Sequence, residues 1–125
     1  MIGYVTLGTN QFDAAATFYD ALLGSIGAGR AMGDTSFIAW GVDPAKPMVS
    51  IIKPHDGEAA TVGNGTMVAL QLPNPAAVDA AHAKAMALGA KDEGAPGPRG
   101  SSGFYAAYWR DLDGNKLCFF TMGGA

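Results

Sequence analysis

The side chains able to do acid–base, nucleophilic or metal chemistry are few and scattered. The imidazoles are His55 and His82, and the lone thiol is Cys118. Two histidines cannot supply the three or four protein ligands that zinc takes. Cys118 sits among Leu117, Phe119 and Phe120, the setting of a small buried hydrophobe. A reactive thiol needs a neighbouring base or cation, and only Lys116, two residues back on the same strand face, offers one. His82 falls one position past Ala81 in a helical pattern and reads as a half-exposed helix residue. His55 adjoins Asp56 in a polar stretch, where loops often carry function. Arg99 stands in a Gly- and Pro-rich segment. Its guanidinium could grip a carboxylate or phosphate bidentately, the alternative being a solvated loop charge. Gly27-Ala28-Gly29 lacks the third glycine of a dinucleotide fingerprint and follows a helix rather than a strand. Neither a Gly-Lys-Ser/Thr phosphate loop nor a Gly-x-Ser-x-Gly elbow occurs.

The elements that would hold these groups come in two copies. Tyr4-Val5-Thr6-Leu7 leads to Asn10, an apolar helix face and Leu23-Gly24. Met67-Val68-Ala69-Leu70 leads to Asn74, a second helix and Leu88-Gly89, 63 positions on when counted from Tyr4 to Met67. Met1–Gly8 reads as a strand. Asn10 is placed to cap the first helix, whose Phe12, Ala15, Ala16, Tyr19, Leu22 and Leu23 recur at helical spacing, with Gly24 as a left-handed C-cap. Ala28–Met32, Thr35–Trp40 and Met48–Lys53 follow as strands. Residues 54–64, polar and Gly-rich, read as a linker. Gly65–Leu72 is the next strand, and Asn74-Pro75 a helix start with Val78, Ala81, Ala85 and Leu88 as its buried stripe. Lys91–Glu93 reads as a short edge strand and Gly94–Gly100 as an irregular loop. Phe104–Arg110 and Lys116–Met122 close the chain, joined by an Asp111-Leu112-Asp113-Gly114-Asn115 turn. The aromatics Tyr4, Trp40, Tyr105, Tyr108 and Trp109 alternate along strands, so their faces depend on a register that spacing alone does not set.

The predicted fold class is therefore α+β: two tandem β-α-β-β-β modules, curved sheets around a groove with helices outside. The expected organisation is one domain over 1–125, with module one at 1–54, a linker at 55–64 and module two at 65–125. A chain of 125 residues is long enough to bury a core, and 49% hydrophobic against 15% charged content excludes disorder. The net charge of −3 and the scattered Lys and Arg argue against nucleic acid as a partner. No apolar run approaches the roughly 20 residues that cross a bilayer, so no membrane partner is expected. A single cysteine and the absence of a signal-peptide pattern point to the cytoplasm.

Phe18-Tyr19 before Leu22-Leu23-Gly24, the Pro96-Gly97-Pro98-Arg99 loop and Arg110-Asp111-Leu112-Asp113-Gly114-Asn115-Lys116-Leu117 resemble the vicinal oxygen chelate superfamily. That group includes glyoxalase I, extradiol dioxygenases and bleomycin-resistance proteins. The resemblance spans the chain; Leu112 stands where relatives usually carry proline. In metal-using members a His or Glu comes from the first strand of each module and a Glu from the last. Carried over, those positions are Tyr4 and Met67, then Ser50 and Cys118. Phenol, thioether, hydroxyl and thiol do not suit a hard divalent ion, so no metal and no cofactor are expected. The resemblance then implies metal-independent binding of a small, partly aromatic molecule, as in the bleomycin-resistance branch. Expected ligand contacts are Tyr4, Trp40, Ser50, Met67, Arg99 and Cys118. Two alternatives stay open: a glyoxalase-like lyase or isomerase with a non-standard site, and an inert interaction module. A homodimer is expected, because closed twofold pairs are common and strand edges need cover.

Overall fold

The computed structural model describes residues 1–123. Two compact units follow one another, Met1–Val62 and Gly63 onward. The first contains β1 (Tyr4–Gly8), α1 (Phe12–Gly24), β2 (Gly29–Gly33), β3 (Phe37–Gly41) and β4 (Met48–Ile52). The second contains β5 (Val68–Gln71), α2 (Pro75–Ala87), β6 (Lys91–Pro98), β7 (Tyr105–Arg110) and β8 (Lys116–Thr121). The sheet orders are β1-β4-β3-β2 and β5-β8-β7-β6. In each, the first strand runs parallel to the last, and the remaining pairs are antiparallel. The fold is α+β, with the β-α-β-β-β unit used twice.

Strand register sorts every side chain onto one of two faces, because alternate residues point to opposite sides. In the first sheet Thr6, Ser50 and Ala39 lie side by side, as do Val5, Val49 and Trp40. The second set faces α1. Leu7, Ile38, Trp40, Val49 and Ile51 are buried there with Ala15, Ala16, Phe18, Tyr19, Leu22 and Leu23 of the helix. Each large side chain so buried contributes about 1.5–3 kcal/mol. The second sheet repeats the scheme. Ala69, Cys118 and Tyr108 share the helix-free face, while Leu117, Phe119, Ala107 and Trp109 lie opposite. Val78, Ala81, His82 and Ala85 of α2 are buried in that second unit. Alanine at two of these four positions lets the helix lie close to the sheet, where Trp109 and Phe119 pack ring on ring at 5.3 Å.

Local signals at the second helix hold. Asn74 caps α2 by accepting the Ala77 N–H at 2.9 Å, with proline in the first turn. Gly114 takes the positive φ of +91° in the last turn. Four expectations need correction. Asn10 does not cap α1; Gln11 holds that position without a side-chain cap. The Asn10 amide instead clamps the backbone of Ala60, donating to its carbonyl at 3.1 Å and accepting its N–H at 2.7 Å. Residues 55–62 fall within the first compact unit. The left-handed residue after α1 is Gly27, not Gly24, because a further turn follows the helix before the chain reverses.

Third, Gly94–Pro98 is not an irregular loop. It extends β6 to eight residues, paired with β7 through two register shifts. Pro96 and Pro98 are tolerated because β6 is an edge strand, where a missing N–H costs no ladder bond. Last, His82 is buried rather than half-exposed, its Nε2 lying 3.2 Å from the Asp92 carboxylate.

Asp20 ties α1 to the sheet. Its carboxylate accepts both arms of the Arg30 fork, at 2.8 and 2.7 Å, and the Trp40 indole N–H at 2.9 Å. The Arg30 hydrogen bond holds the Asp20 carboxyl below its ordinary 3.8, partly offset by burial, and Trp40 adds to the lowering. A carboxyl depressed on folding stabilises the native state above its unfolded value, and that contribution is lost as pH falls through the folded one. The stability gap between wild type and Asp20→Asn is therefore expected to be full above pH 3.8 and to shrink below it. Urea titrations on either side of that pH measure the gap; a constant gap would show that the ion pair contributes nothing.

Candidate functional site

The helix-free faces carry the positions of interest. Tyr4 opens β1 opposite Met48 and is 60% exposed. Met67 precedes β5 with the parity of Ala69 and is 41% exposed. Ser50 and Cys118 occupy matching slots in the last strands, beside Thr6 and Ala69 respectively, and both are fully buried. The Ser50 hydroxyl donates to the Val5 carbonyl at 2.7 Å, so it is committed to the sheet. Cys118 Sγ lies 3.5 Å from the Phe119 carbonyl. Burial pushes its thiol up, while the charges of Arg99 and Lys116 act in the opposite sense. A protonated, enclosed thiol is a poor nucleophile.

Trp40 is a correction. It pairs with Val49 and Arg30, which puts it on the α1 side; it is 2% exposed and stacks on Tyr19 at 5.6 Å. Its indole N–H serves Asp20, so Trp40 belongs to the core beneath the helix. The open face of the second sheet instead carries Tyr108, beside Cys118, and Phe120 one alternation further along β8. Alternation along β7 separates Tyr108 from Tyr105 and Trp109. Tyr105 donates its hydroxyl to Asp79 of α2 at 2.6 Å.

Arg99 is not a solvated loop charge. Its guanidinium folds back along β6, donating to the carbonyls of Ala95 (2.6 Å) and Gly97 (3.0 Å), with a longer contact to Pro98 (3.4 Å). It lies over the Tyr108 ring at 5.5 Å, and the Lys116 ammonium lies over the same ring at 5.5 Å. Glycine makes this possible. A Cβ at Gly97 would sit 3.1 Å from Arg99 Nη1, and one at Gly94 would meet Tyr108 at 3.0 Å and Arg99 Nη2 at 3.4 Å. Tyr108, Gly94 and Gly97 were not singled out for this face by sequence. The register across the Asp111–Asn115 turn is the signal that finds Tyr108.

The first sheet's open face holds a cavity of about 380 Å3, lined by Met32, Gly41, Val42, Pro44 and Met48 among others. Gly41 has no Cβ where Met48 Cγ approaches to 3.0 Å, so the methionine lies flat across it. Near the other edge, Gly8 admits Ala60, whose Cβ would stand 2.9 Å from an added Cβ. His55 is exposed in the segment between β4 and β5. Tyr4, Ser50, Met67 and Cys118 carry no carboxylate or imidazole, the groups a hard cation takes. Among the described residues no group of three or more His, Cys, Asp or Glu side chains is placed to hold an ion.

Comparison with known proteins gives the class. The profile of the Glyoxalase/Bleomycin resistance protein/Dioxygenase superfamily matches residues 1–119, and this chain belongs to that superfamily. A glyoxalase/bleomycin resistance protein from Albidiferax ferrireducens T118 is similar to it at 37% identity and a TM-score of 0.87. The match covers 97% of this chain and 98% of that one. The fold is shared with a lactoylglutathione lyase from Agrobacterium tumefaciens at 19% identity and a TM-score of 0.73, over 97% and 92% of the two chains. It is shared also with the hypothetical protein SA1046 from S. aureus, at 22% identity and a TM-score of 0.74, over 97% and 92%. No curated protein matches the chain significantly. No helix among the described residues is long and apolar enough to cross a membrane.

Proposed function

We propose that this protein binds a small, partly aromatic organic molecule on its helix-free sheet faces, without a metal ion. One observation carries the reading. Where metal-using relatives would place ligands, the two units present two exposed, largely apolar side chains, Tyr4 and Met67, and two buried uncharged ones, Ser50 and Cys118. Such a surface suits the face of a flat molecule and offers nothing to polarise an oxygen. The methionine-lined cavity beside Gly41 adds apolar room of ligand size.

The test is binding of a panel of small aromatic molecules to the intact protein, followed by protein NMR with and without chelator. The expected result is unchanged affinity in chelator and reduced affinity in Tyr4→Ala. One tightly held Ni, Zn, Fe or Mn per chain whose removal abolishes binding would overturn the reading.

The proposed assembly is a homodimer. All five residues of the edge strand β2 are exposed, and an uncovered strand edge is a standing template for pairing. Sedimentation is expected to give twice the chain mass of 12.8 kDa at micromolar concentration; the single-chain mass would contradict it.

A further inference from the structure

The open face of the second sheet gathers more positive charge than the one carboxylate bonded within it, Glu93, offsets. Arg99 and Lys116 each lie 5.5 Å from the centre of the Tyr108 ring. Two more cations stand nearby: Lys91 of β6, and its partner Arg110 across the ladder, whose guanidinium bonds Glu93 and the Gly114 carbonyl. That bond occupies Glu93, the carboxylate whose field Lys116 also feels. Among the described residues, neither Arg99 nor Lys116 makes an ion pair.

Arg99 reaches Tyr108 from the β6 side and Lys116 from β8, with β7 between those strands, and Arg99 is held in place. Three backbone carbonyls of β6 bind its guanidinium from one side. Two glycines, Gly94 and Gly97, clear the space that the guanidinium fills. A guanidinium has five N–H donors, so three such contacts leave it donors to spend. Lys116 keeps all three of its own. The group that fits is an anion with several acceptor oxygens and little bulk.

We propose that Arg99 and Lys116, beside Tyr108, form a subsite for the carboxylate of a small organic acid. The ligand class becomes an aromatic or amphipathic carboxylic acid, its apolar body lying along the open face and its charge at the β6–β8 side. This rests on the reading that the helix-free faces bind a small organic molecule, and it adds the charge of that molecule.

The experiment compares three probes on the intact protein by two-dimensional NMR: benzoate, benzamide of the same shape without charge, and inorganic phosphate. Benzoate is expected to move the Tyr108 ring and Arg99 Nε–H signals, to bind about tenfold more tightly than benzamide, and to weaken as salt rises. Lys116→Gln should remove that preference with little change in thermal stability, because among the described residues its ammonium makes no hydrogen bond or ion pair and loses only the contact with the Tyr108 ring. Gly97→Ala should weaken benzoate by displacing a guanidinium whose charge is intact. Lys46→Gln, in the loop between β3 and β4, removes the same charge and should change nothing.

Equal binding of benzoate and benzamide, with Lys116→Gln silent, overturns the carboxylate subsite and leaves small-molecule binding standing. Phosphate binding that Lys116→Gln abolishes, with neither aromatic probe bound, supports the anion site and overturns the aromatic reading. No response at the Tyr108 and Arg99 signals to any probe overturns both.

Discussion

Replacing Trp40 by alanine is expected to destabilise the protein by about 3–5 kcal/mol, the usual cost of emptying a large aromatic site in a packed core. Trp40 is fully enclosed beneath α1, touches Tyr19, and spends its indole N–H on the Asp20 carboxylate. Tyr4→Ala should by contrast change stability by no more than about 0.5 kcal/mol, because the ring stands mostly in solvent. Chemical denaturation of the two variants reads the assignment of faces in the first sheet directly. A large loss in Tyr4→Ala with a small one in Trp40→Ala would mean that the register places the helix on the opposite face. Trp40→Phe should keep most of the packing and lose only the indole hydrogen bond, so small-molecule binding is expected to survive in it.

The second large effect is expected at the last turn. The buried Asp111 carboxylate accepts the N–H groups of Asp113 and Asn115, both at 2.9 Å, and the Asn115 side-chain amide at 3.0 Å. Asp111→Ala strips the acceptor from the buried Asn115 groups at once and is expected to cost about 3 kcal/mol. Asp111→Asn keeps one carbonyl oxygen for the two backbone donors but turns an amide toward the Asn115 amide. A loss of about 1 kcal/mol is expected there. Equal losses in the two variants would show that the charge, rather than the turn geometry, is what the site requires. The turn bears on function because it sets the register of β8 against β7, which brings Cys118 beside Tyr108 and Lys116 beside Arg110.

How much of this was legible beforehand follows from the range of the interactions involved. The repeat, the number of strands and helices, the Asn74-Pro75 start and the Asp111–Asn115 turn are governed by neighbours within a few residues. Such signals are written locally, in the residues themselves. Asn10 has the same chemistry as Asn74, but Gln11 holds the N-cap position of α1, and the Asn10 amide binds the backbone of Ala60, 50 residues away. Gly94–Pro98 has the composition of a loop. It is a strand because β7 pairs with it, and because an edge position forgives its prolines. His82 has the spacing of a half-exposed helix residue, and it is buried with Asp92 of β6 against its ring.

The site divides along the same line. Sequence by itself determined which side chains exist to do chemistry, and so that Tyr4, Ser50, Met67 and Cys118 bring no carboxylate or imidazole, since donor atoms are a property of residue type. It also determined the parity within each strand. It could not determine which parity faces the helix, because that depends on hydrogen-bond register with strands distant in the chain, and a shift of one residue inverts the answer. Tertiary structure alone therefore moved Trp40 into the core, put Tyr108 on the open face, and folded Arg99 back over it beside Lys116.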